Sequence, residues 1–146
     1  MKIALGCDHG GVNLKNTIKK ELSAKNIDVI DFGTNSSDSV NYPDYALKVS
    51  EAVVSKECDL GILCCGTGIG MSIAANKYKG IRAAVVGDCF SAKATREHNN
   101  TNVLCLGERV IGEGLALEIV NTWLNSEFQG GRHAERLALV EEIENK

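Results

Sequence analysis

The stretch from Asp59 to Met71, DLGILCCGTGIGM, constrains the fold more than any other part of the chain. Its apolar run, residues 60–65, is bounded by turn-forming residues and has the length of a fully buried strand. The run ends in Gly66-Thr67-Gly68-Ile69-Gly70, and a helical segment over residues 71–78 follows. A strand, a glycine-rich turn and a helix N-terminus in succession predict an anion site, because small residues let backbone N–H groups converge and the helix dipole adds positive potential.

The remaining segments alternate between strand and helix patterns. Leu14, Ile18 and Leu22 recur every fourth residue among lysines, which predicts an amphipathic helix over residues 12–25. Pro43, the only proline, suits the first turn of a second helix. The other predicted strands are residues 2–6, 27–32, 81–86 and 103–106, and the other predicted helices are residues 90–97, 114–124 and 134–144. Five strands alternating with helices predict a Rossmann-like, doubly wound, three-layer α/β/α domain with a five-stranded parallel sheet and a C-terminal tail helix.

Length and charge limit the function classes. A chain of 146 residues suits a single domain, residues 1–146, in which residues 130–146 form the tail. The net charge of −3 and the lack of a basic run give no reason to expect nucleic-acid binding. The sequence has no signal-peptide pattern and no long apolar stretch, so we expect a cytoplasmic protein that does not enter a membrane.

Six cysteines raise the question of disulfides or a metal site. Four of them, at 7, 64, 65 and 105, fall in or at the ends of strand-like runs, and adjacent Cys64 and Cys65 suit no simple pairing. Free thiols in a reducing compartment fit this pattern better than a disulfide framework does. Since no C-x-x-C or H-x-x-x-H spacing occurs, no metal site is expected.

Better-known phosphate motifs do not match the glycine-rich turn. Dinucleotide sites use G-x-G-x-x-G, and here Met71 holds the place of the third glycine. A Walker loop needs Gly-Lys-Ser/Thr, but Thr67 follows Gly66 directly, and a Cys-x5-Arg phosphatase loop would need arginine at position 71. A flavodoxin-like phosphate loop and simple close packing of helix on strand both stay open.

Four separated motifs carry a family resemblance. They are Asp8-His9-Gly10-Gly11, Cys65-Gly66-Thr67-Gly68-Ile69-Gly70, His98-Asn99 and Gly130-Gly131-Arg132-His133-x-x-Arg136. In this order, and across essentially the whole chain, they resemble the ribose-5-phosphate isomerase B family, which includes allose- and galactose-6-phosphate isomerases. The resemblance implies interconversion of D-ribose 5-phosphate and D-ribulose 5-phosphate without metal or cofactor. It also implies a homodimer with active sites at the subunit boundary.

Cys65 is the candidate base under this resemblance. Sugar isomerisation moves a proton between neighbouring carbons through a cis-enediolate, so it needs a base and donors for an oxyanion. The loop amides from Gly66 to Gly70 favour a thiolate at Cys65 and hold the enediolate, with the Thr67 hydroxyl as a further donor. A purely structural thiol is the alternative, as we assume for Cys64 on the opposite face of the strand. One branch of the family carries a glutamate base at the place of Met71, so this sequence resembles the cysteine branch.

The resemblance assigns His98 to opening of the sugar ring, since an imidazole exchanges protons near neutral pH. Asp8 would assist by bonding sugar hydroxyls or steering a proton, and Tyr42 and Asn99 would contact sugar hydroxyls. Two plainer roles stay open, namely capping of a helix C-terminus by His98 and of a helix N-terminus by Asp8.

Four cations are the candidates for phosphate recognition: His9, Arg109, Arg132 and Arg136. Because Arg132 and Arg136 are four residues apart, a helix would put them on one face. Ordinary solvated arginines are the alternative. The tail has few apolar residues, so we expect its helix to cross to the partner subunit and some arginines to complete the neighbouring site.

Two other functions compete with a pentose phosphate isomerase. The same chemistry could act on a six-carbon phosphate such as allose 6-phosphate or galactose 6-phosphate. Alternatively, the pocket could belong to a non-catalytic sugar-phosphate sensor, although a sensor has no need of Cys65, His98 and Asp8 together as a proton-transfer set.

Overall fold

A computed structural model describes all residues 1–146 and confirms the predicted fold class, a parallel sheet with helices on both faces. The strands are β1 (Lys2–Cys7), β2 (Asp28–Asp31), β3 (Leu60–Cys65), β4 (Ala83–Val85) and β5 (Val103–Gly107). The helices are α1 (Val12–Ala24), α2 (Tyr42–Val54), α3 (Ile69–Ala75), α4 (Cys89–Asn99), α5 (Glu113–Leu124) and α6 (Arg132–Glu144).

The strand order is β2-β1-β3-β5-β4, and every pairing is parallel. β3 lies at the centre, and all six of its residues are buried, which is why it reads as an unbroken apolar run. The carboxyl ends of β1, β3 and β5 therefore meet at one edge of the sheet, which we call the carboxyl edge.

Two apolar clusters cover the two faces of the sheet. One contains Cys64 and packs β1, β3 and β5 against α1, α4 and α5; the other contains Cys65 and packs the same strands against α2 and α3. The prediction that the two adjacent cysteines face opposite sides of β3 is confirmed. All six cysteines are free, as predicted.

The glycine-rich turn is shorter than the sequence pattern indicated. The predicted helix over residues 71–78 is wrong at both ends, because α3 begins at Ile69 and ends at Ala75. The turn spans residues 66–68; Gly68, with φ of +80°, ends it, and the helical backbone starts at the next residue. Ile69 and Gly70, expected in the loop, therefore form the first turn of α3.

The helix α6 lies on the outside of the chain. None of its residues is buried, and Leu139, Val140 and Ile143 are all more than half exposed. It contacts α4, and Glu144 accepts a hydrogen bond from the Gly80 N–H at 3.1 Å. No helix in the chain combines the length and the apolar character needed to cross a bilayer.

Asp31, at the end of β2, forms ion pairs with one buried lysine and one half-exposed lysine. Its carboxylate lies 3.1 Å from Nζ of both Lys15 and Lys19, and its other oxygen accepts from the Gly33 N–H at 2.9 Å. Burial alone would raise the pKa of this carboxyl. The Gly33 amide and the two ammonium groups outweigh burial, so the pKa lies below its ordinary value.

We expect Asp31→Asn to lower the free energy of unfolding at pH 7 by about 1.5–3 kcal/mol, the usual contribution of a hydrogen bond to a charged group. Because the folded state depresses this pKa, the stabilisation is complete above the unfolded pKa and disappears as pH falls through the folded pKa. Urea unfolding of the wild type and the variant at pH 7 and pH 3 measures the loss of stability. Asp28→Asn, at an exposed position of the same strand, is the control. A wild-type-to-Asn difference that is the same at both pH values would contradict this account.

Candidate active site

Three loops meet at the carboxyl edge, as the parallel topology requires. Backbone bonds join them: the Asp8 N–H donates to the Cys64 carbonyl at 3.3 Å, the Glu108 N–H to the Cys65 carbonyl at 2.9 Å, and the Arg109 N–H to the Gly66 carbonyl at 3.0 Å. At Gly107 a Cβ would lie 2.7 Å from the Thr67 carbonyl oxygen, so only glycine allows the end of β5 to approach the turn this closely.

Cys65 lies at the centre of this arrangement. Its sulfur accepts a hydrogen bond from the Gly68 N–H at 3.0 Å, and the residue is 6% exposed at the end of β3. The positive φ of Gly68 turns that amide back toward the strand, and a Cβ there would lie 2.8 Å from Val85 Cγ2. An N–H donor at a helix N-terminus stabilises a thiolate rather than a thiol.

The turn carries further donors. The N–H groups of Gly66, Thr67, Gly70 and Met71 donate to no acceptor within the protein, whereas the Ile69 N–H donates to the Thr67 hydroxyl at 3.2 Å. Amides at a helix N-terminus form a ready-made site for an anion. These four donors lie in the segment directly after the sulfur, and they can therefore serve an oxyanion that develops beside it.

The neighbouring cysteines are in a different environment. Cys64 and Cys105 are fully buried, and burial raises the pKa of both thiols, that of Cys64 well above its ordinary value. Both stay protonated at neutral pH. Among the cysteines, only Cys65 has a sulfur that accepts a hydrogen bond from a backbone N–H, which distinguishes it from the other five.

The other predicted residues of the carboxyl edge surround the turn. Asp8 is 8% exposed, and its Oδ1 accepts from the Gly10 N–H at 2.9 Å. The alternative role of Asp8 as a helix cap is wrong, because Gly11 is the N-cap of α1 and no side chain caps it. Arg109 and Tyr42 border the turn: a Cβ at Gly66 would lie 3.3 Å from Nη1 of Arg109, and a Cβ at Gly70 would lie 3.1 Å from the Tyr42 ring.

His98 lies elsewhere, in the last turn of α4. Its ring stacks on that of His133, with centroids 4.3 Å apart and planes 9° apart. Both rings line a cavity of about 290 Å³ together with Asn99, Arg136 and two apolar residues of α6. Burial lowers the pKa of His133, and the charges of His98, Arg132 and Arg136 lower it further, which favours the neutral form of this ring.

The residues around His98 lie at the opposite end of the strands, which we call the amino edge of the sheet. The helix α4 starts beside the carboxyl end of β4 and runs back along the sheet. Asn102, just beyond its end, therefore lies where the strands begin: its N–H donates to the carbonyl of Arg82, the residue before β4, and its carbonyl accepts from the Gly61 N–H near the start of β3. The six residues of β3 separate the two edges by about 20 Å at 3.3 Å per residue. One chain therefore brings Cys65, Thr67, Asp8, His9, Tyr42 and Arg109 together but holds His98, Asn99, Arg132 and Arg136 apart from them.

Two site residues escaped the sequence reasoning. His133 belongs to the quoted motif, but nothing in the sequence indicates that its ring stacks on His98, because that contact depends on the packing of α6 against α4. The free Met71 amide follows from the early start of α3, which the glycine pattern hid.

Comparison with known proteins gives a consistent result. The sequence model of the Ribose/Galactose Isomerase family matches residues 3–140. The chain is 50% identical to ribose-5-phosphate isomerase B of Escherichia coli, over 99% of this chain and 97% of the relative.

Solved structures agree as well. A Clostridium thermocellum ribose-5-phosphate isomerase B superimposes with a TM-score of 0.98 at 59% identity, covering 99% of this chain and 98% of the other. A Mycoplasma genitalium ribose-5-phosphate isomerase B with bound ribulose-5-phosphate superimposes with a TM-score of 0.94 at 39% identity, covering 99% and 97%. The chain therefore belongs to the ribose/galactose isomerase family of aldose–ketose isomerases.

Proposed function

We propose that this enzyme interconverts D-ribose 5-phosphate and D-ribulose 5-phosphate, with Cys65 as the base. The observation that carries the proposal is the hydrogen bond from the Gly68 N–H to the Cys65 sulfur, 3.0 Å long. Four further N–H groups in the segment after Cys65 have no acceptor within the protein. The names of the relatives support the substrate, and the bound ribulose-5-phosphate of the Mycoplasma structure supports a sugar-phosphate pocket in this fold.

The chemistry follows from the groups at the carboxyl edge. In the open-chain aldose, the Cys65 thiolate takes the proton from C2, and the electron pair moves toward O1 to give an enediolate. The four free amides and the Thr67 hydroxyl stabilise the oxyanion. Return of the proton to C1, with transfer of the hydroxyl proton from O2 to O1, gives the ketose. Asp8, 8% exposed beside the turn, is placed to bond sugar hydroxyls or steer this second proton.

Opening of the furanose ring needs an acid/base group at the ring oxygen, and His98 is the candidate. Since His98 and Cys65 of one chain lie at opposite edges of the sheet, we infer a site shared between two copies. In a two-fold dimer whose axis is perpendicular to the strands, the strands of the two copies run in opposite directions. If the β4 edges of two copies face each other, the amino edge of one then lies beside the carboxyl edge of the other.

Exposed apolar side chains support this choice of surface. Ile69 and Ile73 of α3, Val85 of β4 and Phe90 at the start of α4 are 53%, 56%, 44% and 82% exposed, and all belong to elements at the β4 end of the sheet. Apolar exposure of this kind on neighbouring elements marks an interaction surface. The same association would bury part of α6, which has no buried residue in a single chain.

The phosphate would then be held by cations from both copies. His9 and Arg109 accompany Cys65, whereas Arg132 and Arg136, one turn apart on α6, accompany His98 with Asn99. Arginine forks suit phosphate oxygens, and an imidazole N–H adds a single donor. Tyr42, whose ring lies against Gly70, would contact sugar hydroxyls beside the reacting carbons.

The six free cysteines suit a reducing compartment, and we place the enzyme in the cytoplasm on that ground.

We expect Cys65→Ala to lower kcat by about 10²–10⁴-fold, the usual contribution of a positioned base, while sugar-phosphate binding persists. Turnover of ribose 5-phosphate and calorimetric binding measure the two effects. Cys64→Ala, on the buried opposite face of β3, is the matched control and should keep its turnover. Wild-type turnover in Cys65→Ala would refute the base assignment.

A mixture of two inactive variants tests the shared site. Combining Cys65→Ala and His98→Asn subunits in equal amounts should restore about one quarter of the wild-type activity, because half of the dimers are mixed and each mixed dimer has one intact site of two. The activity after co-expression or subunit exchange measures this. If the mixture stays as inactive as its components, Cys65 and His98 act within one chain or not at all.

We expect a higher kcat/KM for ribose 5-phosphate than for allose 6-phosphate, and the direct comparison of the two decides between a five-carbon and a six-carbon substrate. Deuterium incorporation at C2 of the aldose in heavy water separates either isomerase from a non-catalytic sensor. A larger kcat/KM for the six-carbon phosphate would overturn the substrate assignment, and absence of exchange would overturn the enzymatic one.

A further inference from the structure

The loop over residues 33–41, between β2 and α2, lies beside the candidate active site. At its base, the Thr34 N–H donates to the Cys7 carbonyl at 3.3 Å, next to the end of β1. At its far end, the Val40 N–H donates to Nδ1 of His9 at 3.2 Å, and Tyr42 follows two residues later. The loop therefore joins the core of the sheet to two residues of the site.

Lys15 fixes the base of this loop. Its side chain is fully buried, which is rare for lysine unless the ammonium group is paired. Its Nζ donates to the Thr34 carbonyl at 2.9 Å and to the Asn35 side-chain oxygen at 2.7 Å, and lies 3.1 Å from the Asp31 carboxylate. An ammonium group has three donors, so these three acceptors use all of them.

The far end of the loop selects a form of His9. An imidazole nitrogen that accepts a hydrogen bond carries no proton, so Nδ1 is bare and the proton of the neutral ring is on Nε2. The Nε2–H is then the group that can donate to a phosphate oxygen. In the opposite tautomer, the Nδ1–H of His9 would face the Val40 N–H, and Nε2 would present a lone pair to the phosphate.

We propose that Lys15 is a positioning residue, which acts through the loop of residues 33–41 to hold His9 as the Nε2–H tautomer that donates to the substrate phosphate. The proposal rests on the phosphate-binding role proposed above for His9. Lys15 itself touches neither the turn nor the reacting carbons. It sets the position of Val40 by tying the loop to α1 and β2 at its base.

The substrate-free, full-length protein tests the tautomer directly. Long-range ¹H–¹⁵N correlation spectra distinguish the two tautomers of each of the three histidines, and a His9→Asn sample assigns the His9 signals. We expect the Nε2–H form of His9 in the wild type and a mixture of tautomers in Lys15→Met. Lys19→Met is the matched control, because exposed Lys19 bonds the same Asp31 oxygen at 3.1 Å but does not reach the loop, and it should keep the wild-type spectrum.

Kinetics test the consequence for substrate. We expect kcat/KM for ribose 5-phosphate to fall about tenfold in Lys15→Met, mainly through KM, as for the loss of one hydrogen bond to a charged group. Lys19→Met should stay at the wild-type value. A folded Lys15→Met protein with an unchanged His9 tautomer, or with a changed tautomer and an unchanged KM, overturns the proposal.

Val40→Pro keeps the test decisive if Lys15→Met does not fold. Proline removes the N–H that His9 accepts, whereas Val40→Ala keeps it, so the first should lose the Nε2–H form and the second should retain it. Asn35→Ala removes one acceptor of Lys15 from an exposed position and should shift the tautomer in the same direction. An unchanged His9 in either Val40→Pro or Asn35→Ala overturns the proposal.

The spectra also separate this proposal from the proposed function. If the wild type fails to turn over ribose 5-phosphate, the proposed substrate is wrong, and titration with inorganic phosphate takes the place of kinetics. His9 signals that respond to phosphate in the wild type, and less so in Lys15→Met, support the positioning role on their own. No response of His9 in the wild type overturns it.

Discussion

The hydrogen bond from the Gly68 N–H to the Cys65 sulfur is the contact on which the rest of the site depends. It exists because β3 ends directly at a glycine-rich turn and because Gly68 adopts a φ of +80°, a conformation costly for any residue with a Cβ. The turn starts α3 at once, so the helix N-terminus is delivered to the end of a central strand. The sulfur, the free amides and the loops after β1 and β5 are all arranged around that junction.

The parallel topology has a second consequence. Every helix that follows a strand returns to the amino edge, so residues at the start of such helices join the Cys65 group and residues at their ends cannot. His98 is at the end of α4, and His133, in the first turn of α6, stacks on it there. The proposed chemistry needs both an oxyanion site and a ring-opening imidazole. It would therefore require two chains, because one chain of this topology keeps the two groups at opposite edges of the sheet, which are about 20 Å apart.

The sequence predicted the strands, their order of alternation and the cysteine at the turn, because these depend on local patterns: a buried apolar run, a glycine cluster and a four-residue spacing. It misplaced the start of α3, because an isolated glycine pattern does not reveal which glycine has a positive φ. The position of His98 at the amino edge could have been inferred, since a crossover helix must run antiparallel to its strand. Its stacking on His133 could not, because that contact joins segments far apart in the chain.

The burial of Lys15 is a second feature that the sequence did not predict. The helical pattern around Leu14, Ile18 and Leu22 treats the lysines between them as solvated, yet the Lys15 side chain is fully buried. Its acceptors come from Asp31, Thr34 and Asn35, in a segment that no periodicity links to α1. Tertiary hydrogen bonds, which no local pattern encodes, decide where such a side chain lies and what it holds.

A crystal structure with a linear hydroxamate phosphate that mimics the enediolate gives the clearest test of the roles of Cys65 and His98. We expect the Cys65 sulfur of one chain within contact distance of the hydroxamate carbon and nitrogen, which stand for C2 and C1. We expect the two hydroxamate oxygens on the amides of residues 66–71, and the imidazole of His98 from a second chain at the same ligand. A ligand bound away from the sulfur, or bound by one chain without a second His98, would contradict it.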